Sequence, residues 1–216
     1  MTVLGLDSAL GAFSVALVED GRPLAVAEIQ GNVALEQGLE AVARVLSEAR
    51  ASRERVDRLA VGVGPGGFTG VRIAISYAKS LALGWGRPLT GVNSFDAVEA
   101  GVQSTGPTLC VVRGRPGVIS VRYRHDGGER RASGYVAEVL DELGDLPQSL
   151  GVIGDAEDVL PRLAERGLHV HILNRAILPT ALAVAAVAAS REPARSSHEI
   201  RADYGELPAA KIPKRL

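Results

Sequence analysis

Residues 64–72 read Gly-Pro-Gly-Gly-Phe-Thr-Gly-Val-Arg and join an apolar run over residues 56–62 to a helical pattern over residues 69–83. Glycines at 64, 66, 67 and 70 open backbone conformations closed to other residues and allow neighbouring chain to come close. The segment therefore predicts a tight strand-to-helix turn, with Thr69 placed to cap the helix. A strand feeding a helix through such a turn is the repeating unit of an α/β sheet.

The flanking sequence extends that unit. Residues 3–6, 13–18 and 24–29 are short β-prone runs, and Asp20-Gly21 between the last two is a hairpin signal. Residues 34–49 have helical periodicity, residues 88–92 form a further strand, and residues 94–100 a further helix. After residues 105–107 the pattern recurs in looser form, with strands at 109–112, 118–123, 151–153 and 169–173 and helices at 136–143, 157–165 and 180–189. The expected fold is α/β: two lobes, each a mixed sheet flanked by helices, with boundaries at 1–104 and 105–190 and an extended tail at 191–216.

Composition narrows the function classes. A formal net charge of −1 gives no basic footprint for a phosphate backbone, so direct nucleic-acid binding is disfavoured. The single cysteine, Cys110, lies in an apolar run and reads as a buried strand residue. Met1 is followed at once by a strand pattern, without the basic and long apolar regions of a signal peptide, so a cytoplasmic protein is expected. The longest apolar stretch, residues 176–189, is shorter than the ~20 residues of a membrane span and reads as a core helix.

Gly62, Gly64 and Gly67 match G-x-G-x-x-G after a strand, but the next strand ends at Asn93 without the acid that a dinucleotide ribose needs. Pro65 removes a backbone donor, and Gly67 is followed by Phe68 and Thr69 where a P-loop has lysine and serine or threonine. The turn is thus either a well-made helix start or an anion-binding nest of backbone N–H groups. His169 and His171 share one face of a strand, yet no nearby acid or cysteine completes a metal site. Asp155 lies at a strand-helix junction and reads as a helix cap. No catalytic residue, metal or cofactor is assigned.

The turn with its continuation, Gly64-Pro65-Gly66-Gly67-Phe68-Thr69-Gly70-Val71-Arg72-Ile73, resembles the GPGSFTGLRIG signature of the TsaB (YeaZ) family, with Gly67 for its serine and Ala74 for its last glycine. Leu4-Gly5-Leu6-Asp7-Ser8, Ser14-Val15-Ala16-Leu17, Ala78-Lys79-Ser80-Leu81-Ala82 and Gly91-Val92-Asn93-Ser94 are similar to the family's first hairpin, second helix and next strand. The resemblance implies an actin-like, Hsp70-like ATPase (ASKHA) fold. It further implies a non-catalytic scaffold in making threonylcarbamoyladenosine on tRNA, paired with a TsaD-like paralogue. A TsaE-like ATPase, a homodimer when alone and indirect tRNA contact belong to the same expectation. In TsaD, histidines that bind a metal stand where this chain has Ser94 and Val98, which cannot replace imidazole.

The second half departs from the family. Arg113-Gly114-Arg115 and Val118-Ile119-Ser120 stand where it has Asp-Ala-Arg and Glu-Val-Tyr, so only Arg115 is kept. Tyr204 lies where the family has Pro-x-Tyr-x-Arg, and Ala34-Leu35-Glu36 replaces His-Ser-Glu.

The family pairs through its first two helices. Here the first carries two apolar stripes, so one is free to face a partner: Ala34, Leu35, Gly38, Ala41, Val42 and Val45 are assigned to it. The second offers the small residues Ala74, Ala78 and Ala82 for close approach. The rival from another class is an independent ATP-dependent kinase or ATPase on this fold. It needs a glycine-rich adenosine loop, and Val152-Ile153-Gly154-Asp155 supplies one glycine.

Overall fold

Alternation along strand β1 (Thr2–Asp7) sends Leu4 and Leu6 to one side and Val3 to the other, and both sides are buried, as for a central strand covered on two faces. The computed structural model describes residues 1–9, 11–30, 34–174 and 180–205. β2 (Phe13–Glu19) pairs antiparallel with β1, and β3 (Arg22–Ile29) antiparallel with β2. Asp20 and Gly21 take φ of 49° and 79° at that hairpin, the two positive angles that its right-handed twist favours. Helix α1 (Ala34–Glu48), strand β4 (Arg58–Gly62), helix α2 (Phe68–Trp85) and strand β5 (Leu89–Val92) follow, completing a sheet of order β3-β2-β1-β4-β5.

Beyond helix α3 (Ser94–Val98) the topology is built a second time. Strands β6 (Thr108–Arg113), β7 (Val118–His125) and β8 (Gly128–Tyr135) form an antiparallel meander, with φ of 49° and 76° at Asp126 and Gly127. Helix α4 (Val136–Leu143), strand β9 (Ser149–Gly154), helix α5 (Leu160–Glu165) and strand β10 (His169–Asn174) complete the order β10-β9-β6-β7-β8. In both sheets the outer parallel strands join the first strand of the meander. The expected pair of mixed sheets flanked by helices is the observed one.

α1 and α2 cover one face of the first sheet, where Val42, Val45, Ala74 and Ala78 meet Leu4, Leu6 and Val15. α4 and α5 cover the outer face of the second through Val139, Leu140, Leu143 and Leu163. The inner faces exchange helices. α6 (Ala181–Ala189) follows the second sheet but packs Val184, Ala185 and Ala188 on Val3, Val18 and Ala60 of the first. α3 follows the first sheet but packs Phe95 and Val98 on Cys110, Val112 and Ile153 of the second. Gly5 admits α6, since a Cβ there would lie 2.2 Å from the Ala181 carbonyl oxygen.

Each sheet is thus covered in part by a helix from the other side of residues 104–105 in the chain. The boundary between residues 104 and 105 separates α6 from the sheet it covers, on which this helix of alanine, valine and leucine buries Val184, Ala185 and Ala188. The stretch after it also returns to the first lobe: Ala194 donates to the Leu89 carbonyl, and Ile200 joins the first core. Arg122 of β7, only 2% exposed, clamps the crossing by donating to Asp96 at 2.6 Å and Glu99 at 2.5 Å, while Arg191 reaches Asp96 at 2.9 Å. Cys110 is buried, as expected, and burial pushes its thiol up. Of the apolar stretch at 176–189, residues 176–179 lie outside the described residues. No helix among the described residues is long and apolar enough to cross a membrane.

Candidate functional site

Gly64 leaves the end of β4 with φ of +96°, a conformation that favours glycine, and the chain then folds against the loop after β1. A Cβ on Gly66 would meet the Ala9 carbonyl oxygen at 2.5 Å, and one on Gly70 would meet the Ser8 carbonyl oxygen at 1.8 Å. The Gly67 N–H donates to that same Ala9 carbonyl. The glycines therefore serve close packing of one backbone on another, and the Gly67 donor is taken by the protein itself.

Thr69 does not cap α2. The helix begins at Phe68 with Gly67 as its N-cap and no side-chain capping bond, so Thr69 lies inside the first turn. Close packing of Gly66 and Gly67 on Ala9 accompanies a helix start two residues earlier than a Thr69 cap would give. Asp155 is likewise no cap: α5 starts only at Leu160, and Asp155 accepts from Arg113 at 3.0 Å. Asn93 does cap, accepting the Phe95 N–H at 3.0 Å to start α3.

Beneath the turn lies Asp7, 1% exposed. Its Oδ2 accepts the Ala9 N–H at 3.1 Å, while Oδ1 has no hydrogen-bond partner among the described residues and faces Gly62. Burial pushes the carboxyl up to about 7, against the smaller lowering by the Ala9 N–H.

Ser94, fully buried, donates its N–H to the Gly64 carbonyl at 2.7 Å, and Val98 is 2% exposed against Cys110 and Val112. The two positions that the TsaD resemblance marks for metal-binding histidines are thus filled by a hydroxyl and an isopropyl group inside the protein. His169 and His171 both lie exposed on the edge strand β10.

The residues assigned to a partner take other places. Ala41, Val42 and Val45 of α1 and Ala74, Ala78 and Ala82 of α2 are at most 4% exposed and belong to the first core. Gly38 is buried too, since a Cβ on it would strike the Tyr77 ring at 2.4 Å. The backbones of Ala34 and Leu35 open α1, and their side chains lie outside what is described. Gly38, Ala41, Val42 and Val45 are covered within the chain because α1 lies on the sheet and beside α2 at once. The small residues do permit close approach, as their size predicts, but to this chain's own sheet and helix.

What these helices leave outside is a different set: Leu39 at 56% exposure, Phe68 at 56% and Leu83 at 83%. Arg72 lies over the Phe68 ring with its guanidinium carbon 5.0 Å from the centroid. Tyr204, from the polar tail, packs on the same ring at 4.8 Å. Sequence reasoning missed Leu39 and Leu83, because an apolar residue on an amphipathic helix is assigned to the core by default, and it missed Asp203, whose bonds to Val63 and Asn93 are long-range.

A model of the family described as "TsaD: tRNA N6-adenosine threonylcarbamoyltransferase" matches residues 34–195. The tRNA threonylcarbamoyladenosine biosynthesis protein TsaB of Escherichia coli (strain K12) is 36% identical over 130 residues, which cover 58% of this chain and 56% of that protein. The chain spans about half the length of the curated relatives it matches. The structure of YeaZ from Pseudomonas aeruginosa superposes with a TM-score of 0.69 at 25% identity, covering 94% of this chain and 99% of that one. The ethanolamine utilization protein EutJ from Carboxydothermus hydrogenoformans, at 14% identity and a TM-score of 0.53 over 86% of this chain and 90% of its own, shares the actin-like ATPase fold alone. The family match over most of the chain, with the TsaB and YeaZ likenesses in sequence and structure, makes this protein a member of the TsaD family on its TsaB (YeaZ) branch.

Proposed function

We propose that the chain is a non-catalytic scaffold subunit of the assembly that forms threonylcarbamoyladenosine on tRNA, pairing with a TsaD-like paralogue through the outward sides of α1 and α2. The observation that carries this reading is the exposure of Leu39, Phe68 and Leu83 on the two longest helices, whose other sides are already buried in the first core. Large apolar side chains held on rigid helices are the anchors that a specific interface uses. An interface of standard size covers about 800 Å² per partner, and losing one central anchor weakens it by roughly 1 to 2 kcal/mol.

Chemistry is left to the partner in this reading. Ser94 and Val98 support it, being sealed inside where the paralogue presents histidines. A TsaE-like ATPase joins the pair, the same helix surface closes a homodimer when the paralogue is absent, tRNA is reached through the partner, and the assembly works in the cytoplasm.

The test is a double variant, Leu39→Asp with Leu83→Asp, co-expressed with the TsaD-like paralogue. Loss of co-purification with an unchanged melting temperature is the expected result, and undiminished pairing overturns the interface. Threonylcarbamoyl transfer by the isolated chain overturns the non-catalytic role. Calorimetry with ATP and magnesium on the isolated chain separates the scaffold from an independent ATPase.

A further inference from the structure

In the polar stretch after α6, residues 203–205 are tied to both lobes. Asp203 donates its N–H to the Val63 carbonyl at 2.7 Å, and its Oδ2 accepts from Asn93 Nδ2 at 3.0 Å. Its Oδ1 accepts the Gly205 N–H at 2.9 Å, which folds the chain back on itself. The Asp203 carbonyl oxygen would lie 2.0 Å from a Cβ on Gly64, so the tail runs flat against the signature turn. Gly205, itself exposed, lies close to both lobes: a Cβ there would meet Ser120 Oγ at 2.4 Å and Ser133 Oγ at 2.8 Å in the second sheet, and Pro65 Cβ at 3.1 Å in the turn. Upstream, Ile200 anchors the stretch in the first core.

Between these anchors Tyr204 lays its ring on Phe68, 37% exposed against 56% for its partner. An exposed phenylalanine in the first turn of a helix has several rotamers open to it, and a stacked ring removes most of them. A cavity of about 590 Å³ opens at the seam, with Pro65, Phe95, Arg115, Tyr135, Asp203 and Gly205 in its walls. The tail is thus one wall of the seam between the lobes and also the support of an aromatic side chain on the pairing helix.

We infer that residues 200–205 act as a strap that fixes the signature turn and sets Phe68 for the partner. The inference rests on the pairing reading above, and Tyr204 is a positioning residue in it. Order imposed before contact spares the interface the cost of ordering Phe68, and a lost support appears as weaker association without loss of fold.

The experiment uses the full chain and three variants, Asp203→Ala, Tyr204→Ala and Tyr204→Phe, measured by amide hydrogen exchange and by binding to the TsaD-like paralogue. Asp203→Ala should speed exchange of amides 64–70 about tenfold or more while leaving the strands of the second sheet unchanged. Tyr204→Ala should weaken pairing about tenfold, and Tyr204→Phe should restore it, because the ring and not the hydroxyl packs on Phe68. Unchanged exchange in Asp203→Ala overturns the strap whether or not the chain pairs. Faster exchange with unaltered affinity in all three variants overturns the link to the partner. Failure of the unmodified chain to bind the paralogue sinks the pairing reading and the link with it, while the exchange result still decides the strap.

Discussion

At the sixth residue of its central strand the first lobe carries Asp7, and at the sixth residue of its own central strand the second carries Arg113. Asp7 is buried under the glycine turn with one oxygen unpartnered among the described residues, and burial favours its neutral form. Arg113 is part-exposed and pairs with Asp155 at 3.0 Å and Glu157 at 3.3 Å, so it keeps its charge among acids. The flanking helices differ as sharply. α1 and α2 have 15 and 18 residues, whereas their counterparts α4 and α5 have 8 and 6. Strand pairing fixes the shared topology, but what each lobe can present depends on how much helix extends past the sheet it must cover.

The largest effect should come from breaking the first lobe's packing. Ala78→Arg forces a cation into a fully buried site and should cost about 4 kcal/mol or more, seen as insoluble or unfolded protein in thermal melts. Such a variant reports on fold and not on pairing, a consequence of where the structure puts this residue. In the second lobe, Leu163→Ala removes a fully buried side chain from α5 and should cost about 3 kcal/mol in urea unfolding. Because α3 and α6 are exchanged between the lobes, calorimetry of this variant should give one transition, and two would show that the lobes melt apart.

Asp7 separates the lobes by pH. Its folded value lies above its unfolded one, so its stabilising contribution is complete below about pH 4 and is lost as pH rises through about 7. A rise from the ordinary aspartate value to about 7 corresponds to at most about 4 kcal/mol. Urea unfolding at pH 5 and pH 8 should show the unmodified chain losing stability over that interval and Asp7→Asn losing less. Equal pH dependence in both would place the titration elsewhere. The smallest stability change should follow Leu83→Asp, within about 0.5 kcal/mol, because the side chain is 83% exposed. Reduced pairing at unchanged stability is what this variant should show.

The meander, the hairpin at Asp20-Gly21 and the alternation of strand with helix were legible because turn chemistry and periodicity are local properties. The glycine turn was legible as a turn, yet its purpose was not: whether glycines admit a phosphate or a neighbouring carbonyl depends on what stands opposite, here Ala9 and Ser8. The alanines and valines of α1 and α2 read equally well as core or contact surface from their spacing. Their burial was decided by α1 lying against the sheet and α2 together, with Tyr77 filling the space above Gly38.

By itself the sequence determined an α/β protein of two similar halves and, through the GPGGFTGVR segment, the family to which it belongs. Only the tertiary structure decided that α3 and α6 trade sheets, that Asp7 is buried with one oxygen unpartnered among the described residues, and that a tyrosine in a polar tail supports the signature phenylalanine. Each of these is a contact between residues far apart in the chain, and local preferences carry no information about which distant surfaces will meet.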